Sequence, residues 1–273
     1  MLKGLDGRNA VVTGGASGIG FALARAILLG GGAVALVDLP GERLDDAARR
    51  LGEIGRIVAY GVDVADTDAM LLLGTHVRTE FGAVQLLCNN AGIAGVHRWF
   101  WNFRPEEWQR MIDVNLRGVI NGLQAFLPAM IDQPEGHVLN TASMAGLIPT
   151  PMNGPYCAAK FGIVGLSEAL ALDLASHGSA VGVSVLCPGL VSTAIGDGHQ
   201  GDGPTTLDAR ERSYCDKVDA GLASGMDADE AARITLDAIR AGRFHILTHP
   251  AAMKQVDRRF QAIQRGEAPP PPH

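Results

Sequence analysis

Tyr156 and Lys160 are the two residues of this chain whose types and spacing could move a proton. They stand four residues apart, so one face of a helix would carry both side chains. An ordinary tyrosine ionises near pH ~10, and an ammonium about 4 Å away at an effective dielectric of about 20 could lower that by about three units. Lys160 is therefore predicted to make Tyr156 a proton-transfer group, although the same spacing also occurs on ordinary helix surfaces.

Ser143 is a third residue that could take part in the same chemistry. It lies 13 residues before Tyr156 and follows a predicted strand at residues 137–140. Because a hydroxyl can both donate and accept a hydrogen bond, Ser143 could hold a substrate oxygen beside the tyrosine.

A glycine-rich turn near the start of the chain is typical of a phosphate site. Residues 13–20 read Thr-Gly-Gly-Ala-Ser-Gly-Ile-Gly and separate a short apolar run, residues 9–13, from a helical stretch, residues 21–29. At such a turn the backbone N–H groups and the helix dipole favour an anion, and glycines let the backbone come close to it. A bare glycine triplet is weak evidence, but the order strand, turn, helix strengthens it.

Asp38 ends the second apolar run, residues 33–37, and indicates which cofactor would bind. An acidic residue about 20 positions after the glycines is where a dinucleotide-binding chain holds a ribose hydroxyl. Its charge would repel the 2′-phosphate of NADP, and neither Ser17 nor Leu39 is basic. The sequence therefore favours NAD over NADP, the alternative being that Asp38 only caps the next helix.

Apolar runs and helical stretches alternate along the whole chain. We predict strands at 9–13, 33–37, 57–62, 84–88, 137–140, 181–186 and 244–248, and helices at 21–29, 42–51, 66–81, 105–130, 156–176, 227–241 and 251–265. Repeated strand–helix units require a parallel sheet covered on both faces. We therefore predict one domain over residues 1–273, a doubly wound α/β fold of the Rossmann type with seven parallel strands.

Residues that could bind a ligand follow the predicted strands, at the sheet edge where such folds place their ligands. They are Gly14, Asp38, Asp63, Asn90, Ser143 and Pro188. Their convergence on one edge predicts a single cleft that holds both cofactor and substrate.

Three other segments have an unusual composition. Every tryptophan falls within residues 99–108, which indicates either a substrate-facing loop or a hydrophobic anchor. Residues 194–225 are polar and glycine-rich, which is typical of a mobile lid over a substrate or of a plain surface excursion. Residues 268–273 contain four prolines and are predicted to be a disordered tail.

Composition and charge exclude several classes of protein. The net charge is −6 with no basic run, so we expect no nucleic-acid partner. The four cysteines are scattered without CxxC spacing, which argues against a zinc site and a disulfide framework, and we predict no metal. The sequence shows neither a leader pattern nor an apolar run long enough to span a bilayer, so we expect a cytoplasmic protein without a membrane partner.

Together these residues resemble the short-chain dehydrogenase/reductase family over nearly the whole chain. Residues 13–20 resemble its cofactor motif, including Gly14, Ser17, Gly18 and Ile19. Asp63 and Val64 resemble the family's adenine-side pair, and Asn90, Ala91 and Gly92 resemble its sheet-supporting motif. The residues that resemble its nicotinamide-side contacts are Pro188, Gly189, Val191 and Thr193. The resemblance also places Asp38, Leu39, Tyr156 and Lys160 among the cofactor contacts.

The resemblance implies a catalytic set and a reaction. Asn115, Ser143, Tyr156 and Lys160 match the four catalytic positions, with Asn115 expected to hold a water that links Lys160 to solvent. The implied activity is hydride transfer between NAD and a secondary alcohol or ketone. Two alternatives stay open, an NADP-linked carbonyl reductase and a nucleotide-binding regulator without turnover.

The resemblance also implies a homotetramer in which the helices of Asn115 and Tyr156 meet across an interface. The substrate is not identified by the sequence. A lining by Leu147, Ile148, Met152 and the tryptophan segment would suit a bulky, apolar alcohol.

Overall fold

The computed structural model of the chain describes residue 2, residues 4–193, residue 195 and residues 207–271. Within that part, one sheet of seven parallel strands has the order β3-β2-β1-β4-β5-β6-β7. The strands are β1 Asn9–Thr13, β2 Ala33–Asp38, β3 Ile57–Gly61, β4 Leu86–Asn89, β5 Gly136–Thr141, β6 Val181–Cys187 and β7 His245–Leu247. The strand order reverses between β1 and β4, which is where ligands bind in doubly wound folds.

Helices cover both faces of this sheet in the described residues. They are α1 Gly18–Leu29, α2 Glu42–Gly52, α3 Thr67–Phe81, α4 Pro105–Ile112, α5 Gly118–Met130, α6 Gly154–His177, α7 Ala209–Ala223, α8 Ala228–Arg240 and α9 Met253–Arg265. The single-domain, doubly wound α/β fold and its seven parallel strands are thereby confirmed.

Alternation along the strands divides the core between the two faces of the sheet. In β1, Val12 packs into a cluster with helices α1 and α8, and the neighbouring Val11 packs into a cluster with α3 and α5. In β2, Leu36 packs into the first of these clusters and Val37 into the second. Because both faces are covered, these strands are continuous apolar runs without polar positions between them.

The structure corrects one predicted helix and adds another that was not predicted. The stretch predicted as one helix, residues 105–130, is interrupted by a π-helical turn, Asp113–Arg117, between α4 and α5. The region 194–225, predicted without a helix, contains α7. The cap of α7 explains it, because the Asp208 side chain accepts hydrogen bonds from the N–H groups of Arg210 and Glu211 while Glu211 accepts one from the Asp208 N–H.

The lid prediction falls partly outside the described residues, since residues 194 and 196–206 are not among them. It stays a prediction for the segment as a whole. The predicted tail is described as far as residue 271, and residues 266–271 contain neither helix nor strand.

Candidate active site

The glycine turn packs closely against the ends of β1 and β4. Gly14 has a φ of +64°, a backbone conformation that favours glycine. A Cβ placed on Gly20 would lie 2.0 Å from the Gly14 carbonyl oxygen and 2.6 Å from Asn90 Nδ2, so a side chain does not fit there. Ser17 precedes the first turn of α1 in an extended conformation, and Ile19 packs into the core beneath. The turn therefore presents its backbone and the start of α1 to a ligand.

Asp38 lies beside this turn at the end of β2. Its carboxylate accepts hydrogen bonds from the N–H groups of Ala16, at 2.9 Å, and of Leu39, at 2.8 Å. The alternative that Asp38 caps the next helix is wrong, because the N-cap of α2 is Gly41. A carboxylate has more acceptor positions than these two N–H groups use, so Asp38 can still accept from a ribose hydroxyl.

Asp63 and Val64 follow β3 at the same edge of the sheet. The Asp63 carboxylate accepts a hydrogen bond from the Ala65 N–H at 2.9 Å, which shapes the turn after the strand. Val64 is buried against Gly118, and its carbonyl accepts a hydrogen bond from Asn121 Nδ2 at 2.8 Å. The pair is therefore tied to the start of α5.

Asn90 joins the ends of three strands. Its side-chain amide donates to the carbonyl oxygen of Thr13 at 3.1 Å, and its Oδ1 accepts from the Thr141 hydroxyl at 3.3 Å. The Thr13 hydroxyl in turn accepts from the N–H groups of Asn90 and Ala91. The prediction did not include Thr13 or Thr141 as site residues. Each is the last residue of its strand, and this position at the ligand-binding edge could have identified them.

Asn115 is buried within the π-helical turn. Its Oδ1 accepts from the Ile93 N–H at 3.2 Å, and its Nδ2 donates to the carbonyl oxygens of Ile93 and Met111 at 3.1 Å each. A Cβ placed on Gly92 would lie 2.7 Å from Asn115 Oδ1 and 3.3 Å from Lys160 Nζ. The turn therefore aims Asn115 at the backbone beside Lys160 and away from solvent.

Ser143, Tyr156 and Lys160 meet at the carboxyl end of β5. Tyr156 and Lys160 lie in the first two turns of α6, and Ser143 lies before a short 3₁₀ turn, Met144–Gly146. The Ser143 hydroxyl lies beside the Tyr156 hydroxyl and acts on its pKa. Lys160 Nζ is buried, donates to the Thr141 carbonyl oxygen at 3.1 Å, and lies 5.4 Å from the centre of the Tyr156 ring.

The pKa of Tyr156 shifts in the direction opposite to the predicted one. Burial raises the pKa of Tyr156 to about 12, while the Ser143 hydroxyl beside it acts in the lowering direction. Burial also lowers the pKa of Lys160 to about 8. The prediction counted the charge of the lysine and left out the desolvation of both side chains, which disfavours phenolate and ammonium alike.

The segment after β6 packs against the 3₁₀ turn after Ser143 and against the loop after β7. The Pro188 carbonyl oxygen accepts from the Met144 N–H at 2.9 Å. The Gly189 N–H donates to Thr248 Oγ1 and to His249 Nδ1, at 3.2 Å each. Thr248 and His249 were missed as site residues, since their role depends on the loop after β7 packing against the loop after β6.

Two further predicted contacts continue along this segment. Val191 is buried and forms a bridge with Met226. The Thr193 methyl lies against Gly18, 2.8 Å from where a Cβ of that glycine would be. The segment after β6 thus returns to the glycine turn.

The tryptophan segment lies over the entrance to α6. Residues 97–103, called the aromatic loop below, place Trp99 and Trp101 in a stacked pair with ring centres 5.5 Å apart. Trp101 is 76% exposed, while Trp108 in α4 packs edge-to-face on Phe100. The segment thus combines a packed hydrophobic anchor with an exposed aromatic surface, and a substrate-facing role for that surface stays a prediction.

Among the residues that the structure describes, no cluster of three or more His, Cys, Asp or Glu side chains is placed to hold a metal ion. No described helix is both long enough and apolar enough to cross a membrane.

The doubly wound fold and the residues at the carboxyl edge of its sheet define a dinucleotide-binding α/β protein with a serine, a tyrosine and a lysine at that edge. The family model for short chain dehydrogenases matches residues 8–201, and the chain belongs to that family. It is an oxidoreductase of the short-chain dehydrogenase/reductase type.

Three comparisons illustrate the relationship. A crystal structure of a short-chain dehydrogenase/reductase from Burkholderia phymatum in complex with NAD is 33% identical, with a TM-score of 0.94 over 100% of this chain and 99% of the other. A D-threitol dehydrogenase of Mycolicibacterium smegmatis is 35% identical over 84% of this chain and 89% of the relative. A 3alpha-hydroxysteroid dehydrogenase of Mediterraneibacter gnavus is 36% identical over 71% and 77%.

Proposed function

We propose that this protein transfers a hydride between NAD(H) and a secondary alcohol or ketone, with Tyr156 as the acid–base group. The observation that carries the proposal is the meeting of Ser143, Tyr156 and Lys160 at the sheet edge that also holds the glycine turn and Asp38. A proton-transfer group, an oxygen-binding hydroxyl and a dinucleotide cradle within one cleft are what alcohol oxidation requires.

The residues at the edge fit a dinucleotide. The close packing at Gly20 and the positive φ of Gly14 leave bare backbone where a pyrophosphate would lie. The adenosine half would contact Asp38, Leu39, Asp63 and Val64. The nicotinamide half would contact Asn90, Ala91, Gly92, Tyr156, Lys160, Pro188, Gly189, Val191 and Thr193.

Each catalytic side chain has a separate task in the proposed reaction. Bound NAD supplies the hydride acceptor, so the alcohol carbon loses a hydride while its hydroxyl loses a proton to Tyr156. Ser143 holds the substrate oxygen through its hydroxyl. The Lys160 ammonium, held by the Thr141 carbonyl, favours the phenolate against the effect of burial. Asn115 fixes the Ile93 backbone beside that lysine and would position a water.

NAD is proposed over NADP because of the charge at the end of β2. The Asp38 carboxylate is held against the glycine turn by the Ala16 N–H, so it cannot turn away from a 2′-phosphate without losing that bond. Leu39, the next residue, is exposed and carries no charge. The NAD in the related Burkholderia phymatum structure supports the same choice.

For the substrate we propose a bulky, apolar secondary alcohol or ketone. The 3₁₀ turn that follows Ser143 leads into Leu147 and Ile148, and Met152 lies four residues before Tyr156. The relatives include one named for a hydroxysteroid and one named for a polyol, so the panel below covers both chemistries. A preference for small polyols would contradict the apolar lining.

The first experiment is NADH formation from NAD with secondary alcohols that range from small polyols to polycyclic alcohols. Tyr156→Phe removes the phenolic proton-transfer group and should lower turnover by about 10³-fold while NADH binding stays near wild type. Absorbance at the nicotinamide band measures turnover, and cofactor fluorescence measures binding.

The same experiment separates the alternative functions. Turnover that survives in Tyr156→Phe would contradict the proposed role of the tyrosine. Wild-type protein that binds NADH but converts no member of the panel would favour the nucleotide-binding regulator. Tighter binding of NADPH than of NADH would favour the NADP-linked reductase.

A further inference from the structure

Glu211 is the one acidic side chain that is buried among the residues the structure describes, with 2% of its surface exposed. Burying a carboxylate is costly unless hydrogen bonds replace the water that it loses. Glu211 lies in the first turn of α7 and belongs to neither the catalytic set nor the cofactor contacts. Neither the proposed catalysis nor cofactor binding therefore explains why Glu211 is buried.

The Glu211 carboxylate binds two segments of the chain at once. Oε1 accepts from the Trp99 N–H at 2.9 Å and from Asn102 Nδ2 at 3.1 Å, both in the aromatic loop. Oε2 accepts from the Asp208 N–H at 2.8 Å, at the start of α7. Burial acts to raise the pKa of Glu211, but these hydrogen bonds outweigh it and hold the pKa below its ordinary value.

The same face of α7 makes further contacts with the aromatic loop. Trp99 Nε1 donates to the Asp208 carboxylate at 2.9 Å. One turn beyond Glu211, the Tyr214 ring packs edge-to-face on His97 at 5.2 Å, and the Cys215 thiol donates to the His97 carbonyl at 3.8 Å. Glu211 lies between these contacts, in the middle of the interface.

The aromatic loop is in turn joined to the segment that leads into Tyr156. The Arg98 N–H donates to the Met152 carbonyl oxygen at 3.0 Å. Met152 has a φ of +55°, and it is the one non-glycine residue with a positive φ in the part of the chain that is described. The Tyr214 side chain of α7 lies beside Thr150 in the same segment. Helix α7 thus reaches the residues before Tyr156 both directly and through the loop.

We propose that Glu211 is a positioning residue that holds α7 against the aromatic loop and so fixes the wall of the substrate site beside Tyr156. The latch is the set of three hydrogen bonds that its carboxylate accepts from Trp99, Asn102 and Asp208. The carboxylate holds the two segments through charge-assisted hydrogen bonds, which are stronger than neutral ones. Its effect on substrate rests on the proposed function, but the latch itself can be measured without a substrate.

The test compares four variants of the full-length protein. Glu211→Ala removes every acceptor of the latch, and Glu211→Gln keeps an acceptor oxygen but turns the other one into an amide N–H₂ group, which cannot accept from a backbone N–H. Asn102→Ala removes a single donor at an exposed position. Asp216→Asn, exposed on the same helix, makes the same change of charge as Glu211→Gln and serves as the control.

Tryptophan fluorescence measures the latch directly, because the three tryptophans of the chain are Trp99, Trp101 and Trp108. We expect the emission of Glu211→Ala to shift to longer wavelength and its quenching by acrylamide to increase. Glu211→Gln and Asn102→Ala should show smaller changes of the same sign. Asp216→Asn should match the wild type.

Kinetics then separate positioning from general damage. With an alcohol that the wild type oxidises, Glu211→Gln should raise KM about tenfold while kcat stays within about threefold. The Kd for NADH should stay unchanged, because the hydrogen bonds of the Glu211 carboxylate go to Trp99, Asn102 and Asp208, none of which is a proposed cofactor contact. If Glu211→Ala does not fold, as judged by circular dichroism, Glu211→Gln and Asn102→Ala decide the matter.

The latch is overturned if Glu211→Gln and Asn102→Ala both match Asp216→Asn in emission and quenching. It is also overturned if NADH affinity falls as KM rises, since the damage would then be general. A wild type that oxidises no alcohol contradicts the proposed function, and the fluorescence comparison still decides the latch.

Discussion

Tyr156 and Lys160 show how burial and charge compete within one pair of side chains. Burial raises the pKa of the tyrosine to about 12 and lowers that of the lysine to about 8, so the neutral form of each is favoured. The phenolate that proton transfer needs is therefore favoured only with positive charge close by. In the proposed reaction the oxidised nicotinamide would be one such charge, and the Lys160 ammonium the other.

Lys160→Met should change how stability depends on pH in a defined window. The pKa of Lys160 lies below its value of 10.5 in an unfolded chain, so its charge destabilises the fold below about pH 8. This cost disappears as the pH rises from about 8 to about 10.5. The free energy of unfolding of the wild type should therefore rise relative to Lys160→Met by up to about 3 kcal/mol across that window.

Urea unfolding of both proteins at several pH values in this window measures the difference. Comparing the two proteins cancels the contributions of other groups that titrate in the same range. A difference that stays constant would show that Lys160 is not desolvated as the structure places it.

The Asp38→Ser, Leu39→Arg double variant should change the cofactor preference. It removes the charge that repels a 2′-phosphate and adds one that attracts it, each worth about 1 kcal/mol or more at a partly solvated site. We expect the ratio of Kd for NADPH to Kd for NADH to fall by at least about tenfold. Fluorescence titration measures both constants, Asp45→Asn on the exposed face of α2 is the control, and an unchanged ratio would contradict the role of Asp38.

Among the elements, the π-helical turn at Asp113–Arg117 and the glycine turn before α1 both pack against the segment that follows β4. The first widens the helix so that Asn115 reaches the Ile93 backbone. The second brings the start of α1 against the end of β4 because Gly20 has no side chain. In both places local backbone geometry sets the distance between neighbouring elements.

Gly20→Ala should therefore disrupt the cofactor cradle. Its Cβ would lie 2.0 Å from the Gly14 carbonyl, and the backbone shift that relieves this contact should cost about 3 kcal/mol and abolish NADH binding. Gly52→Ala is the control, because a Cβ placed on Gly52 at the end of α2 meets only Ile57 Cγ2, at an ordinary contact distance of 3.8 Å. That variant should gain about 0.5–1 kcal/mol.

Chemical denaturation and cofactor titration of the two alanine variants test this contrast. A Gly20→Ala protein that binds NADH like the wild type would show that the turn accepts a side chain. The prediction would also be wrong if Gly52→Ala were the more damaging change.

On the surface of the whole molecule, several large apolar side chains of the helices that cover the sheet are exposed. Leu172 in α6 is 70% exposed, and Phe260 and Ile263 in α9 are 52% and 55% exposed. Burying such side chains between subunits would stabilise an assembly by about 2 kcal/mol each. This supports the proposal of a homotetramer that uses α6 in an interface.

Leu172→Glu should weaken that assembly. It replaces an apolar contact by a charge that would be buried next to its copy in the partner, so we expect a smaller sedimenting species. Leu29→Glu is the control, because Leu29 is also exposed, at 63%, but ends α1 on another part of the surface. Equal masses for the wild type and both variants would exclude α6 from the interface.

Sequence patterns predicted the features that depend on neighbours along the chain. The strands are apolar runs because both faces of the sheet are covered, and Gly14, Gly18 and Gly20 recur at the spacing that one turn demands. Tyr156 and Lys160 share a helix face for the same local reason. The order of strands and helices then required a parallel sheet with its ligands at one edge.

The features that sequence reasoning missed depend on contacts between distant segments. The capping box of Asp208 and Glu211 was readable as a helix start, but the burial of Glu211 depends on Trp99, which is 112 residues away. The contact of His249 with Gly189 spans 60 residues in the same way. The pKa of Tyr156 was predicted in the wrong direction because desolvation depends on every segment packed around a side chain, whereas spacing along a helix reports only its nearest neighbour.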